Sequence, residues 1–217
     1  MRRKAGMQKF PPRLKNQWLR WTKQLKDVRV PSSIALVVGG IGAVHLHLFA
    51  AASILACCTA AVAVVEHEAG VTKGLLTSKS RISKRSTSIA RLELASGHMA
   101  INMAKNLSTA LQRWPIQTIN IWMDSMVALY WITNPGRGWK VFVSNRVKKI
   151  EETAGPINII WKYCPSELNL ADLGNRGATI VKMERGNWFA GPDCLLDKRW
   201  WPEQPRLNST KETDEES

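Results

Sequence analysis

The sequence predicts a layered α/β domain in which helices pack on a mixed sheet. Three observations carry this. Alternating or continuous apolar runs suit strands at four or five places. One long amphipathic helix separates the first three from the rest. The elements then follow in the order β-β-β-α-β-α-α-β-α, which is the pattern of helices laid on a partly parallel sheet. The chain has 217 residues, enough for one domain with extensions.

Residues 1–33 read as a basic leader helix. Trp18, Trp21 and Leu25 fall on one stripe between about Leu14 and Leu25, and Val30-Pro31 is a natural stop. The domain proper is placed at 34–180. Val44, Leu46 and Leu48 alternate with His45, His47 and Phe49, as a strand requires. Cys57 to Val65 reads as a second strand, Glu66 to Gly70 as a hairpin loop, and Gly74 to Ser80 as a third strand. A helix follows from about Arg91 to Gln112. Leu92, Met99 and Met103 share one stripe, and Glu93, Gly97, Ala100 and Ala104 share its neighbour. Three small side chains beside one carboxylate let a helix approach a sheet closely and hold that carboxylate at the junction. Ile116 to Met123 is the next strand, running into Asp124-Ser125. Helices are expected at Met126–Thr133 and about Lys140–Thr153, a strand at Ile157–Tyr163, and a short helix at Asn169–Arg176 closed by Gly177. A Trp-rich extension covers 181–205. The polar, acidic end 206–217 is expected to be disordered.

The run from Leu48 to Val65 carries no charge and could be read as a membrane span. Its Ala and Cys content, with His45, His47, Glu66 and His67 at its ends, favours two strands and no membrane partner. With 31 Lys+Arg against 17 Asp+Glu, the net charge is +14. So basic a chain favours a polyanionic partner, or is simply basic and soluble. The four cysteines form no C-x-x-C pair and no zinc spacing, and adjacent Cys57 and Cys58 point to opposite faces of a strand. All four are expected to be reduced, in the cytoplasm or nucleus.

Three acids stand where elements end or meet: Glu93 opens the long helix, Asp124 closes a strand, and Asp172 lies in the last short helix. Carboxylates gathered from separate elements at one sheet edge can hold two divalent cations about 4 Å apart, and hard oxygen ligands suit Mg²⁺ or Mn²⁺. Scattered acids are more often solvated surface groups. Spacing alone therefore does not choose between the two.

From about Trp18 to Pro202 the chain resembles the ribonuclease H-like region of BEL/Pao-type retrotransposon polyproteins. The strings that carry the likeness are LHLFAAAS, LLTSKSRI with ARLEL, IWMDSMVALYWI, WKVFVSNRVKKI, NLADLGNRG and the closing W-F-A-G-P…W-W-P. The resemblance implies a mixed five-stranded sheet with flanking helices and four acids in F-x-D-A-S, R-L-E-L, D-S and N-P-A-D strings. Those positions map onto Ala51, Glu93, Asp124 and Asp172. It further implies Mg²⁺ (or Mn²⁺) as cofactor, no small-molecule cofactor, and an RNA–DNA hybrid or other polyanion as partner.

Ala51 departs from the pattern. A methyl cannot coordinate, so the resemblance implies a site without its first ligand, a cation no longer held tightly, and hybrid cleavage lost or weak. Ala90, Leu170 and Asn175 replace the family's Pro, Pro and Ser, Ser32 replaces Arg, and no histidine lies just before Asp172. Leu170 is expected to loosen the placing of Asp172. The candidate nucleic-acid contacts are Lys79, Arg81, Arg91, Ser125, Asn145 and Arg146. For each a plainer role stands beside the contact: solvated basic surface for Lys79, Arg81 and Arg91, a helix N-cap for Ser125, helix flank for Asn145 and Arg146. Of the ten tryptophans most suit packing, with Trp139 or Trp188 open to base stacking. Three functions remain: an impaired nucleic-acid-binding ribonuclease H-like domain, an active metal-dependent ribonuclease that tolerates Ala51, and a structural or interaction fragment.

Overall fold

Small and β-branched residues dominate the centre of the sheet, and their size decides how closely helices can lie on it. The computed structural model describes residues 11–23, 40–155 and 157–217. The later part of the leader, including Trp21's side chain, Leu25 and Ser32, lies outside the described residues. α1 (Pro12–Thr22) is the leader helix. Three antiparallel strands follow: β1 (Ile41–Ala52), β2 (Ala56–His67) and β3 (Gly70–Ile82). After α2 (Ile89–Ala110) come β4 (Ile116–Met123), α3 (Met126–Thr133), α4 (Val141–Ala154) and β5 (Ile159–Tyr163). α5 (Ala171–Arg176) and α6 (Ile180–Arg185) close the domain. A last turn, α7 (Lys211–Asp214), lies in the acidic segment. The sheet order is β3-β2-β1-β4-β5, with β1, β4 and β5 parallel. This is the expected mixed five-stranded sheet with flanking helices.

The uncharged run from Leu48 to Val65 is the β1–β2 hairpin, so its apolar character serves a sheet buried on both faces. Among the described residues no helix is long and apolar enough to cross a membrane. Val44, Leu46, Leu48 and Ala50 face the core under α2, α3 and α4. Phe49 and Ala51 face a second core, with Cys58, Trp122, Leu170 and Trp188. Cys57 and Cys58 do take opposite faces, and all four cysteines are free. β3 is longer than Gly74–Ser80. A bulge between Ala61↔Thr77 and Val62↔Leu75 absorbs Leu76 and lets the edge strand continue, with its polar, basic outer half (Ser78–Arg81) in solvent.

The small-residue stripe behaves as its spacing predicts. Glu93, Gly97, Ala100 and Ala104 are buried, and a Cβ on Gly97 would lie 3.1 Å from Met123 Sδ. On the other face, a Cβ on Gly174 of α5 would lie 2.3 Å from Cys58 Sγ. Each helix therefore rests on the sheet at backbone distance, α2 on one face and α5 on the other.

Where the composition of the acidic end suggested disorder, the chain there makes a helical turn and defined contacts with the domain. From Trp201 the chain crosses the β5 edge. There the Gln204 side-chain amide accepts from the Tyr163 N–H (2.8 Å) and donates to the Tyr163 carbonyl (3.0 Å), standing in for a neighbouring strand. Leu207 joins the α2-side core. Thr210 and Thr213 form a capping box at α7, Thr213 is fully buried, and Trp131 Nε1–H donates to its carbonyl at 3.4 Å. Composition marked this segment as unable to form a core of its own; a surface supplied by α2, α3 and the following loop orders it instead.

Candidate functional site

Three elements bring the acids to one hollow of about 500 Å³. Its walls include Ala52, Glu93, Asp124, Ser125, Asp172 and Arg176. Glu93 arrives from near the start of α2, whose N-cap is Ser88. Asp124 follows the last residue of β4. The parallel register pairs Ala50 with Met123, so the next residues, Ala51 and Asp124, come side by side at the strand ends. Asp172 sits in the first turn of α5.

Their environments differ. Glu93 is 8 % exposed, and its Oε2 has no hydrogen-bond partner among the described residues. Burial, then the charge of Asp124, pushes its carboxyl up to about 8, against a pull from the Ala52 backbone N–H. Asp124 accepts a hydrogen bond from Ser166 Oγ at 2.8 Å on Oδ2, while its buried Oδ1 has no such partner. Asp172 Oδ1 takes Arg176 Nε at 2.8 Å and Asn175 Nδ2 at 3.4 Å. Two of the three acids thus present a buried, unsatisfied oxygen, and the third is already paired with a cation. Among the described residues no three His, Cys, Asp or Glu side chains lie close enough to share one metal ion.

Ala51 is 1 % exposed and packs with Cys58, Leu170 and Ala171, so the β1 wall of the hollow is Ala52 and Ser53. Leu170 is 4 % exposed in the same cluster. Asn169 beside it donates from Nδ2 to the Ala50 carbonyl (2.9 Å), and its Oδ1 accepts from the Ala171 N–H (3.2 Å). Apolar packing and one asparagine fix the approach to Asp172, where the sequence suggested that Leu170 loosens it.

The other predicted residues fall into two groups. Ser125 is the N-cap of α3, its Oγ accepting from the Ala128 N–H at 3.2 Å, and it also lines the acidic hollow. Arg91 and Arg146 converge on Phe142 from α2 and α4, with guanidinium carbons 5.0 and 3.7 Å from the ring centroid. Arg91 is also bound to Glu216, Nε to Oε1, at 2.6 Å. Asn145 is exposed on α4. Lys79 and Arg81 line a separate groove of about 620 Å³ between β3 and α2, with His98, Asn102 and Asn106. Burial, then the charges of Arg146, Lys149 and Arg81, lowers the His98 pKa. Trp139 is buried and stacks edge-on with Tyr130 and Trp131, and Trp188 is buried against the second core.

Sequence reasoning missed Ser166, Arg176 and Glu212, which also line the acidic hollow. Arg176 was readable as the i+4 partner of Asp172. Ser166 and Glu212 reach the hollow only through tertiary structure.

Over residues 5–125, more than half its length, the sequence matches the family model described as the Pao retrotransposon-like RNaseH-like domain. The chain belongs to this family. The matched span contains Ala51, Glu93 and Asp124, while Asp172 lies beyond it. Among solved structures, similarity is found to RNase H1 from Halobacterium salinarum, at 16% identity over 60% of this chain and 92% of that one, with a TM-score of 0.41. The N-terminal RNase H domain of a Mycobacterium tuberculosis protein, solved as a maltose-binding-protein fusion, aligns at 14% identity over 66% and 95%, TM-score 0.42. LC11-RNase H1 in complex with an RNA/DNA hybrid aligns at 15% over 59% and 91%, TM-score 0.41. No curated protein matches the chain. Within the Pao family the sheet and its helices are the RNase H-like fold.

Proposed function

We propose that this Pao RNase H-like domain binds nucleic acid, an RNA–DNA hybrid above all, and that its capacity to cut the RNA strand is lost or weak. The observation that carries the reading is the content of the acidic hollow. Glu93, Asp124 and Asp172 line it, yet β1, the strand beside Asp124, gives its wall only Ala52 and Ser53, with Ala51, the family's fourth acid position, packed into the core next to them.

The residues present fit one divalent cation better than two. Glu93 Oε2 and Asp124 Oδ1 are buried oxygens without partners, the state expected of groups built to meet a cation. Asp172 is engaged by Arg176. Hard oxygen donors suit Mg²⁺ or Mn²⁺. A divalent cation bound there would supply an activated water and neutralise charge on a leaving phosphodiester oxygen. The chain's own groups do the rest. Ser166 orients Asp124, Asn169 ties the α5 approach to β1, and Arg176 holds Asp172 and adds positive charge at the hollow where a phosphate would arrive. The β3–α2 groove with Lys79 and Arg81, and Arg146 over Phe142, supply further cations for the backbone of a nucleic acid.

The test is hybrid cleavage by the natural chain and by Ala51→Asp, in Mg²⁺ and in Mn²⁺. The expected outcome is little or no cleavage by the natural chain. The variant should gain roughly 100-fold or more, the scale on which one fixed electrostatic group acts in an active site. Cleavage by the natural chain at ordinary enzyme rates would overturn the impaired reading. A salt-independent or absent affinity for the hybrid would remove the nucleic-acid reading altogether.

A further inference from the structure

The acidic segment 209–217 does not lie on an indifferent surface. It runs over a patch made by the first turn of α2, the end of α3 and the loop between α3 and α4. Glu216 Oε1 accepts from Arg91 Nε at 2.6 Å, and Glu216 is buried although it is a carboxylate. The Glu216 carbonyl accepts from the Lys140 N–H at 2.5 Å, and Lys140 Nζ donates to the Glu215 carbonyl. Arg137 meets Asp214 Oδ1 at 3.5 Å and Ser209 Oγ at 3.3 Å. Under these cations lies an aromatic floor. Arg137 is 5.7 Å from the Tyr130 ring and 5.6 Å from the Trp139 ring, and Arg91 rests over Phe142. At the other margin of the patch, Glu212 lines the acidic hollow itself.

Carboxylates at Asp214 and Glu216 and carbonyls between them are spaced along an extended and helical backbone, and each meets a cation or a backbone N–H. A row of oxygens presented to Arg and Lys above aromatic rings is also what a phosphodiester backbone with stacked bases would present. We propose that Arg91, Arg137 and Lys140, with Tyr130, Trp139 and Phe142 beneath them, form a second phosphodiester-binding surface, and that segment 209–217 occupies it in place of nucleic acid. This rests on the nucleic-acid reading given above. Nucleic acid engaging the whole face must displace the segment, and Glu212 then leaves the rim of the hollow.

The experiment is fluorescence anisotropy of a short labelled RNA–DNA hybrid with the full chain in EDTA, titrated across salt. Glu212→Gln/Asp214→Asn/Glu216→Gln is compared with a control that neutralises three exposed acids elsewhere, Glu151→Gln/Glu152→Gln/Glu184→Gln. The first triple variant is expected to bind about 10-fold tighter near 50 mM salt. Its log–log salt slope should be steeper by about 2 to 3, one step of about 0.9 for each phosphate newly met by Arg91, Arg137 and Lys140. Adding Arg137→Ala and Lys140→Ala to that variant should abolish the gain. Hydrogen exchange on the natural chain gives a readout that needs no variant to fold: amides of 209–216 should exchange faster when hybrid saturates the protein. If the natural chain binds hybrid but both triple variants tighten equally, or the tail amides stay protected, the masking inference is overturned and the nucleic-acid reading stands. If neither the natural chain nor any variant binds hybrid at low salt, the nucleic-acid reading fails and the inference falls with it.

Discussion

Two buried titratable side chains, one on each face of the sheet, have opposite fates. His47 on β1 is 1 % exposed, but its Nδ1 accepts from Trp122 Nε1–H at 3.1 Å. Its ring stacks on Trp122 and meets Trp201 edge-on. Burial, then the charge of His45, pushes its pKa down to about 3, so it stays neutral at every ordinary pH. Glu93 on α2 is buried to a similar degree, yet one of its oxygens has no partner and a second carboxylate faces it. The difference separates a polar group that belongs to the packing from one left unsatisfied, which the proposed function assigns to a cation. The first finds its donor within the chain; the second has an oxygen that no described residue satisfies.

Breaking the satisfied side should have the largest effect. Trp122→Ala removes a fully buried ring and the hydrogen-bond donor to His47 together, and should destabilise the domain by about 3–5 kcal/mol in urea unfolding. Trp122→Phe keeps most of the volume and leaves His47 Nδ1 without its donor, at about 1–3 kcal/mol. A loss under 0.5 kcal/mol for Phe would mean that the histidine needs no partner and would erase the contrast. Next in size is Gly174→Ala. The new Cβ meets Cys58 Sγ at 2.3 Å and the Trp188 ring at 3.0 Å, so α5 must lift from β2 and carry Asp172 with it. We expect about 1–3 kcal/mol of destabilisation. Cys58→Ala in the same chain should recover part of it, because it removes the obstructing sulfur.

How much of this was legible follows the same division. The sheet, its long helix and the close approach at Gly97 could be read from periodicity, because strand alternation and the i, i+3/i+4 stripe are local signals. So could the uncharged run, whose polar ends meet across the β1–β2 hairpin, His45 Nε2 lying 3.2 Å from Glu66 Oε1 on the diagonal. Glu93, Asp124 and Asp172 were legible as acids at element ends, and the family resemblance supplied Ala51. The Arg176 ion pair, the buried face of Ala51 and the Ser166 contact were not, because each depends on which elements meet. The tail shows the limit most clearly. TKETDEES has the composition of a disordered segment, and its contacts with the cations of α2 and the α3–α4 loop, the Trp131 hydrogen bond and the α7 capping box are all tertiary or context-dependent.

The unsatisfied side is sharpened by Glu93→Gln, whose effect should be smaller and of opposite sign. In EDTA at pH 8 the amide removes a buried carboxylate facing Asp124, and the variant should be more stable than the natural chain by roughly 1–2 kcal/mol. The melting-temperature rise that Mg²⁺ gives the natural chain should vanish in the variant, and a rise of equal size in both would show that Glu93 holds no cation.

The smallest effect is the pH profile, and its sign distinguishes the two groups. The folded Glu93 carboxyl titrates at about 8 against an ordinary 4.5, so the folded state binds the extra proton between those values. Its stabilising share is complete below about 4.5 and fades as pH rises to about 8. His47 titrates at about 3 folded against 6.5 unfolded, so the unfolded chain binds the extra proton. Its share is complete above 6.5 and fades as pH falls toward 3. Between pH 4.5 and 6.5 the two oppose one another, and the metal-free chain should show a shallow maximum there. Glu93→Gln should flatten the alkaline limb and leave the acid limb in place. Saturating Mg²⁺ should also flatten the alkaline limb in the natural chain, because a cation that replaces the proton on Glu93 removes the penalty that makes that limb fall.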